Sequence, residues 1–126
     1  MIALDTSAIV AIFLMEAEAA EFRHIVARGP VCAGAPTLIE TQIVLEGRFG
    51  ARAAGAVHRF LTVGTISVLP FDQTLFEAAV SAFSQYGKGC GHPARLNFGD
   101  CLAYAVAKCR SLPLLYKGND FVHTDL

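Results

Sequence analysis

The chain has 126 residues, 54% of them apolar and only 17% charged, with a formal net charge of −1. A mean hydropathy of +0.48 excludes a disordered tail, and the length fits one domain, 1–126, with its own core. The near-zero charge excludes a whole-protein field for polyanions, so any nucleic-acid contact must be a local patch.

Ile2–Leu4 reads as a short buried strand ending at Asp5. Helices are expected over Ser7–Met15 and Ala17–Arg28, the second stopped by Gly29-Pro30, with a short strand over Val31–Ala33. The apolar positions Leu38, Ile39, Ile43, Val44 and Phe49 form a helical stripe over Thr37–Phe49, closed by Gly50. A further helix is expected over Ala51–Val63 and a strand over Ile66–Leu69. Asp72 is a clean N-cap, with Phe71 and Phe76 spaced for a hydrophobic staple, and its helix should run to about Tyr86. Gly87–Leu96 reads as a glycine-bearing loop, Asp100–Cys109 as a helix, and Leu114–Tyr116 as a last strand leading into Asn119-Asp120. Strands alternating with helices imply right-handed crossovers and a mainly parallel sheet covered on both faces. Ligands of such sheets gather beyond the carboxyl ends of the strands.

No apolar stretch approaches the roughly 20 residues needed to cross a bilayer. The run Ala8–Met15 follows Asp5-Thr6-Ser7 without a basic flank and is not read as a signal peptide, so the expected location is the cytoplasm. Cys32, Cys90, Cys101 and Cys109 form no Cys-x-x-Cys pair, which suits reduced thiols.

Four acids fall at element ends: Asp5 past the first strand, Glu40 and Asp100 in first helical turns, and Asp120 past the last strand. Each has a local explanation. Asp5 can cap the first helix, Thr37 and Glu40 fit a capping box, Asn97 and Asp100 have a similar shape, and Asp120 can shape a turn. Collected at one sheet edge, however, such carboxylates repel unless protonated or bridged by a cation. Hard oxygen donors without a matching His/Cys set suit Mg²⁺ or Mn²⁺, which can polarise a water for in-line attack at phosphorus.

Four segments carry a family resemblance. Ile2-Ala3-Leu4-Asp5-Thr6-Ser7-Ala8 resembles the first motif of PIN domains, particularly those of VapC toxins. Leu38-Ile39-Glu40-Thr41 is similar to the second motif, and Leu96-Asn97-Phe98-Gly99-Asp100-Cys101 to the third, the most specific of the set. Leu114 to Phe121 resembles the last strand and final acidic site, so the ordered set spans nearly the whole chain. The resemblance implies a three-layer α/β/α sandwich and a Mg²⁺- or Mn²⁺-dependent endoribonuclease. It also implies a growth-arresting toxin, a homodimer, and inhibition by a VapB-type antitoxin. Carried over by motif, Asp5, Glu40 and Asp100 would hold the metal, with Asp120 as a fourth acid and Ser7, Asn97 and Asn119 in support. Either Asn119 or Asp120 is placed to face the site. The chemistry implied is hydrolysis of RNA by a metal-polarised water, leaving 5′-phosphate and 3′-hydroxyl ends.

Lys88, His92 and Arg95 are candidate contacts to RNA phosphates, against the alternative of a solvated loop. Gly87-Lys88-Gly89 lacks the spacing of a phosphate-cradling Walker loop, and Cys90 with His92 has no second pair for zinc. His24, His58 and His123 read as surface or packed histidines, and Phe13, Phe22, Phe60, Phe76 and Phe83 as core. A receiver-like phosphoacceptor would want an acidic pair at the first strand and an acid after the third. Val68-Leu69-Pro70-Phe71 offers none. A haloacid-dehalogenase-type phosphatase would want Asp-x-Asp, which Asp5-Thr6-Ser7 breaks. A non-catalytic binding module, with the acids as caps, is the remaining rival.

Overall fold

The strands alternate their side chains between two cores, and that alternation sets the architecture. In the computed structural model, which describes all residues 1–126, β1 spans Ile2–Leu4 and β2 spans Val31–Gly34. Leu4, Val31 and Ala33 face a core shared with four helices, α1 (Thr6–Phe13), α2 (Ala19–Arg28), α3 (Ala35–Phe49) and α4 (Ala56–Val63). Ala3 and Cys32 face the other way, onto α5 (Gln73–Tyr86) and α6 (Phe98–Arg110). A sheet apolar on both faces must be buried on both, which gives three layers, α/β/α. With β3 (Ile66–Leu69) and β4 (Leu114–Leu115) the strand order is β3-β2-β1-β4, and every pairing is parallel. No helix is long and apolar enough to cross a membrane.

Several boundaries differ from the sequence-based expectation. α1 begins at Thr6 because Asp5 caps it, and it ends at Phe13, before Met15 turns to φ +51°. α2 starts two residues later than expected, at Ala19, and α6 starts two earlier, at Phe98. α3 begins at Ala35 with Gly34 as N-cap, because Pro36 pre-sets helical φ in the first turn and needs no N–H donor there. That early start removes the expected Thr37–Glu40 capping box: Thr37 lies inside the helix with its hydroxyl unpartnered, and Glu40 falls in the second turn. The single helix expected over Ala51–Val63 is broken. A 3₁₀ turn (Gly50–Ala53) precedes α4 (Ala56–Val63), and Gly55 takes the left-handed φ of +70° at the break.

The expected core role holds for Phe22, which is buried, and for Phe13 and Phe60, which pack against each other and the first core. It fails for Phe76 and Phe83, which are 59% and 44% exposed. α5 instead turns Leu75, Ala82 and Tyr86 inward against the sheet and α6, which leaves Phe76 and Phe83 on its outer face. The staple is lost with them: Phe71 packs on the core while Phe76 does not. All four cysteines are free, Cys32 and Cys101 being buried.

Candidate metal centre and active site

Two helix starts deliver the buried acids. Asp5, at the end of β1, has extended backbone and caps α1; its Oδ2 accepts the Ser7 N–H at 2.9 Å and the Ser7 Oγ–H at 2.5 Å. The Ser7 hydroxyl in turn accepts the Lys117 N–H at 2.9 Å, so the chain beyond β4 fixes which way that proton points. Asp100 is the third residue of α6 in a reciprocal capping box: its N–H donates to Asn97 Oδ1 and its Oδ2 accepts the Asn97 N–H, both at 2.9 Å. Each acid thus spends one oxygen on its own helix start and keeps Oδ1 clear. Asp5 is 4% exposed and Asp100 7%.

Glu40, half-buried on α3, reaches toward both. Its Oε1 accepts the Thr6 Oγ–H at 2.5 Å, and its carboxylate lies against the Cα of Gly99 in the first turn of α6. Asp120, past β4, lines a polar cavity of about 400 Å³ together with Asp100, Asn97, Asn119, Lys88 and Arg95. Both Asn119 and Asp120 therefore share a cavity with Asp100, while Asp5 and Glu40 lie outside its lining. His123 lines the same cavity, where its sequence context suggests only a surface or packed histidine. His92 does not join it: the ring packs edge-on to Tyr86 with centroids 4.9 Å apart, and its Nδ1 accepts the Ala94 N–H. Arg95 holds a left-handed φ of +50°, unusual for a residue with a long side chain and a local cost that other interactions must offset.

The electrostatics are those of acids short of a counter-charge. Burial raises the Asp5 carboxyl, Ser7 lowers it, and the Glu40 charge raises it again. Asp100 is raised from 3.8 to about 6, first by burial and then by the charges of Asp120, Asp5 and Glu40, against the lowering Asn97 N–H. The three ion pairs of the chain all lie elsewhere: Lys108–Asp125, Lys117–Glu16 and Lys117–Glu18. Lys117, although its N–H touches Ser7, sends its ammonium away to the turn between α1 and α2. No three His, Cys, Asp or Glu side chains stand as a closed cluster. The donor set itself is all hard oxygen, mutually repelling and partly desolvated, and it fits a divalent cation that keeps several waters better than a caged one.

Thr6 and Gly99 both meet the Glu40 carboxylate, a contact that composition and spacing alone do not reveal. The one cue is a glycine inside a helical first turn, where alanine is the ordinary choice.

A PIN domain family model matches residues 2–126. Ribonuclease VapC28 of Mycobacterium tuberculosis is 40% identical over 122 residues, covering 96% of this chain and 92% of that protein. Ribonuclease VapC of Mycolicibacterium smegmatis is 40% identical over 124 residues, covering 98% and 95%. Among solved structures, Mycobacterium tuberculosis VapC20, described as a sarcin-ricin loop cleaving toxin, superposes with a TM-score of 0.79 at 24% identity, covering 100% of this chain and 96% of that one. A toxin–antitoxin complex from Klebsiella pneumoniae gives 0.71 at 18% identity, covering 99% and 93%. At those identities the solved structures speak for the shared three-layer fold alone. With a family match over nearly every residue and relatives at 40% identity, the chain belongs to the PIN-domain family and, within it, to the VapC ribonucleases.

Proposed function

We propose that this chain is a Mg²⁺- or Mn²⁺-dependent endoribonuclease acting as the toxin of a type II toxin–antitoxin pair. One observation carries the reading: Asp5 and Asp100, from two different helix starts, are buried within each other's field and no lysine, arginine or histidine pairs with either. Buried like charges persist only where something compensates them, and oxygen-rich clusters of this kind are compensated by a hard divalent cation.

In this reading Asp5, Glu40 and Asp100 hold the cation and Asp120 is a fourth acid on the cavity side. When bound, the cation polarises the attacking water and offsets charge on the phosphate and the leaving 3′ oxygen. Ser7 and Asn97 orient the two buried carboxylates through the hydrogen bonds described. Lys88 and Arg95 bind RNA phosphates from the rim of the cavity, and the Asn97 and Asn119 amides line its wall. Water, rather than a side chain or the RNA 2′-hydroxyl, forms the new bond to phosphorus and the 3′ oxygen leaves, so the products carry 5′-phosphate and 3′-hydroxyl ends; 2′,3′-cyclic phosphate ends would overturn the mechanism.

We further take 1–126 as one such domain, working in the cytoplasm as a homodimer and inhibited by a VapB-type antitoxin. Support for apolar partners comes from a continuous exposed face built by Ile39, Ile43 and Val44 of α3, Phe98 of α6, and Phe76 and Val80 of α5. Light scattering of the purified chain tests the dimer. The activity is tested on pooled cellular RNA with Mg²⁺ or Mn²⁺ and with EDTA, beside an Asp100→Asn variant of equal folding. Metal-dependent cleavage lost in the variant supports the reading, and equal cleavage by the variant refutes the site.

A further inference from the structure

Of the three acids read as metal ligands, Asp5 and Asp100 cap their own helices and Glu40 does not, so something else must hold its carboxylate. A short relay of hydroxyls does this on one side. Thr41 Oγ1 donates to the Thr37 carbonyl at 2.8 Å, the better of its two options, since the Thr6 hydroxyl lies 3.3 Å away. That carbonyl is thereby satisfied, and Thr6, 3.2 Å from it, is released to give its single proton to Glu40 Oε1 at 2.5 Å. A hydroxyl donating to an ionised oxygen makes the stronger, shorter bond, consistent with the two distances. Thr6 and Thr41 are both buried, which removes water as a competitor for either proton.

The opposite side of the carboxylate is bounded by Gly99. Its φ is not positive, so the backbone has no need of glycine, and alanine is the better helix former at that position. A Cβ there would collide with the Glu40 carboxylate, its two oxygens and its carbon being the three nearest atoms. The absence of a side chain at this point is what allows α3 and α6 to bring Glu40 beside Asp100.

We propose that Thr6 and Gly99 are positioning residues forming a two-sided cradle that fixes the Glu40 carboxylate and so sets the affinity of the site for a divalent cation. The inference rests on the metal-site reading above and adds to it the two residues through which Glu40 is held. Neither touches a reacting atom; both act through Glu40.

The test uses the full chain with Mn²⁺ as the probe, bound Mn²⁺ being read by calorimetry or by loss of the free-ion electron paramagnetic signal. Thr6→Val keeps the shape and removes the proton, and it is expected to weaken Mn²⁺ binding about 10- to 100-fold, the range for partners that orient a ligand. Thr6→Ser restores the hydroxyl and should bind within a few-fold of the parent. Gly99→Ala is expected to lower the melting temperature of the metal-free protein, and to stop doing so once Glu40→Ala has removed the carboxylate. Unaltered Mn²⁺ affinity in Thr6→Val, or an equal cost of Gly99→Ala with and without Glu40, overturns the cradle. Should Thr6→Val fail to fold, the Gly99–Glu40 cycle decides alone. Asp100→Asn separates the two readings. If it binds Mn²⁺ as tightly as the parent, the metal site itself is wrong. If it loses binding while Thr6→Val keeps it, the site stands and only the cradle falls.

Discussion

Asp100 and Asp125 lie at opposite ends of the same helix layer and have opposite fates. Asp125 accepts the Tyr104 hydroxyl at 2.6 Å and the Lys108 ammonium at 2.7 Å, and these partners hold its carboxyl below the usual value. Asp100 meets only a backbone N–H and three other acids, and burial with those charges pushes it up to about 6. One aspartate is completed by its own chain and serves to tie the C-terminus to α6. The other is left incomplete by every protein group around it. Residue type and helix position do not separate the two roles; the sign of the neighbouring charge does.

The largest expected effect comes from making Asp100 neutral. Asp100→Asn keeps the shape and the capping box with Asn97, yet it should lower metal-dependent RNA cleavage by more than about 100-fold, since even partners that only orient a ligand are worth 10–100-fold. Stability should move the other way. An acid raised from 3.8 to about 6 favours the protonated fold, so its contribution is fully present below the unfolded value and is lost as pH rises through about 6. Above pH 7 the metal-free Asp100→Asn protein should therefore be more stable than the parent by roughly 1–2 kcal/mol after allowance for solvent screening. The gap should shrink below pH 4 and also on adding Mn²⁺ at pH 7.5. Denaturant unfolding at three pH values reads it, and a gap independent of pH would place Asp100 among the ordinary caps.

A smaller effect sharpens the contrast between the site's own cations and those of the C-terminal latch. Lys88 and Arg95 stand on the rim of the polar cavity without ion-pair partners, whereas Lys108 is engaged by Asp125. Removing either rim charge should weaken RNA binding and lower the slope of log affinity against log salt by about 0.7 for each single-strand phosphate no longer neutralised. Binding isotherms at several salt concentrations, with the inactive Asp100→Asn protein, give that slope. An unchanged slope would return the loop to the status of a solvated surface.

How much of this was legible follows from which interactions are local. β1, β3, α5 and the Asn97–Asp100 box could be read because a strand run, an Asp72 cap and an i to i+3 pair are short-range. The start of α3 is not legible, because Pro36 in its first turn outweighs Thr37 as a cap, and the same shift makes Glu40 a residue that reaches across to α6 rather than a capping one. The outward position of Phe76 and Phe83 is not legible either, because a helical stripe does not say which of two apolar faces meets the sheet. Four acids at strand and helix ends were visible as a set, since the carboxyl edge of a parallel sheet collects them. Thr6 and Gly99 were not, because each matters only through a carboxylate on another helix.

The least effect is expected at the completed aspartate. Tyr104 is buried along α6, and burial together with Asp125 pushes its phenol up, so the hydroxyl stays protonated and donates at every ordinary pH. Tyr104→Phe removes that proton while Asp125, half exposed, keeps Lys108 and solvent as partners, so only the net worth of one solvent-screened hydrogen bond is lost, about 0.5–1.5 kcal/mol. Because the Asp125 carboxyl is lowered, the loss should be present at pH 7 and fade as pH falls below about 4, opposite in sign to the change at Asp100. Mn²⁺ affinity and RNA cleavage should stay at parent values, since the ring is retained against Tyr86 and the site lies at the other end of the helix. A drop in Mn²⁺ affinity would mean that the two ends of α6 are coupled, and that the latch belongs to the site rather than merely framing it.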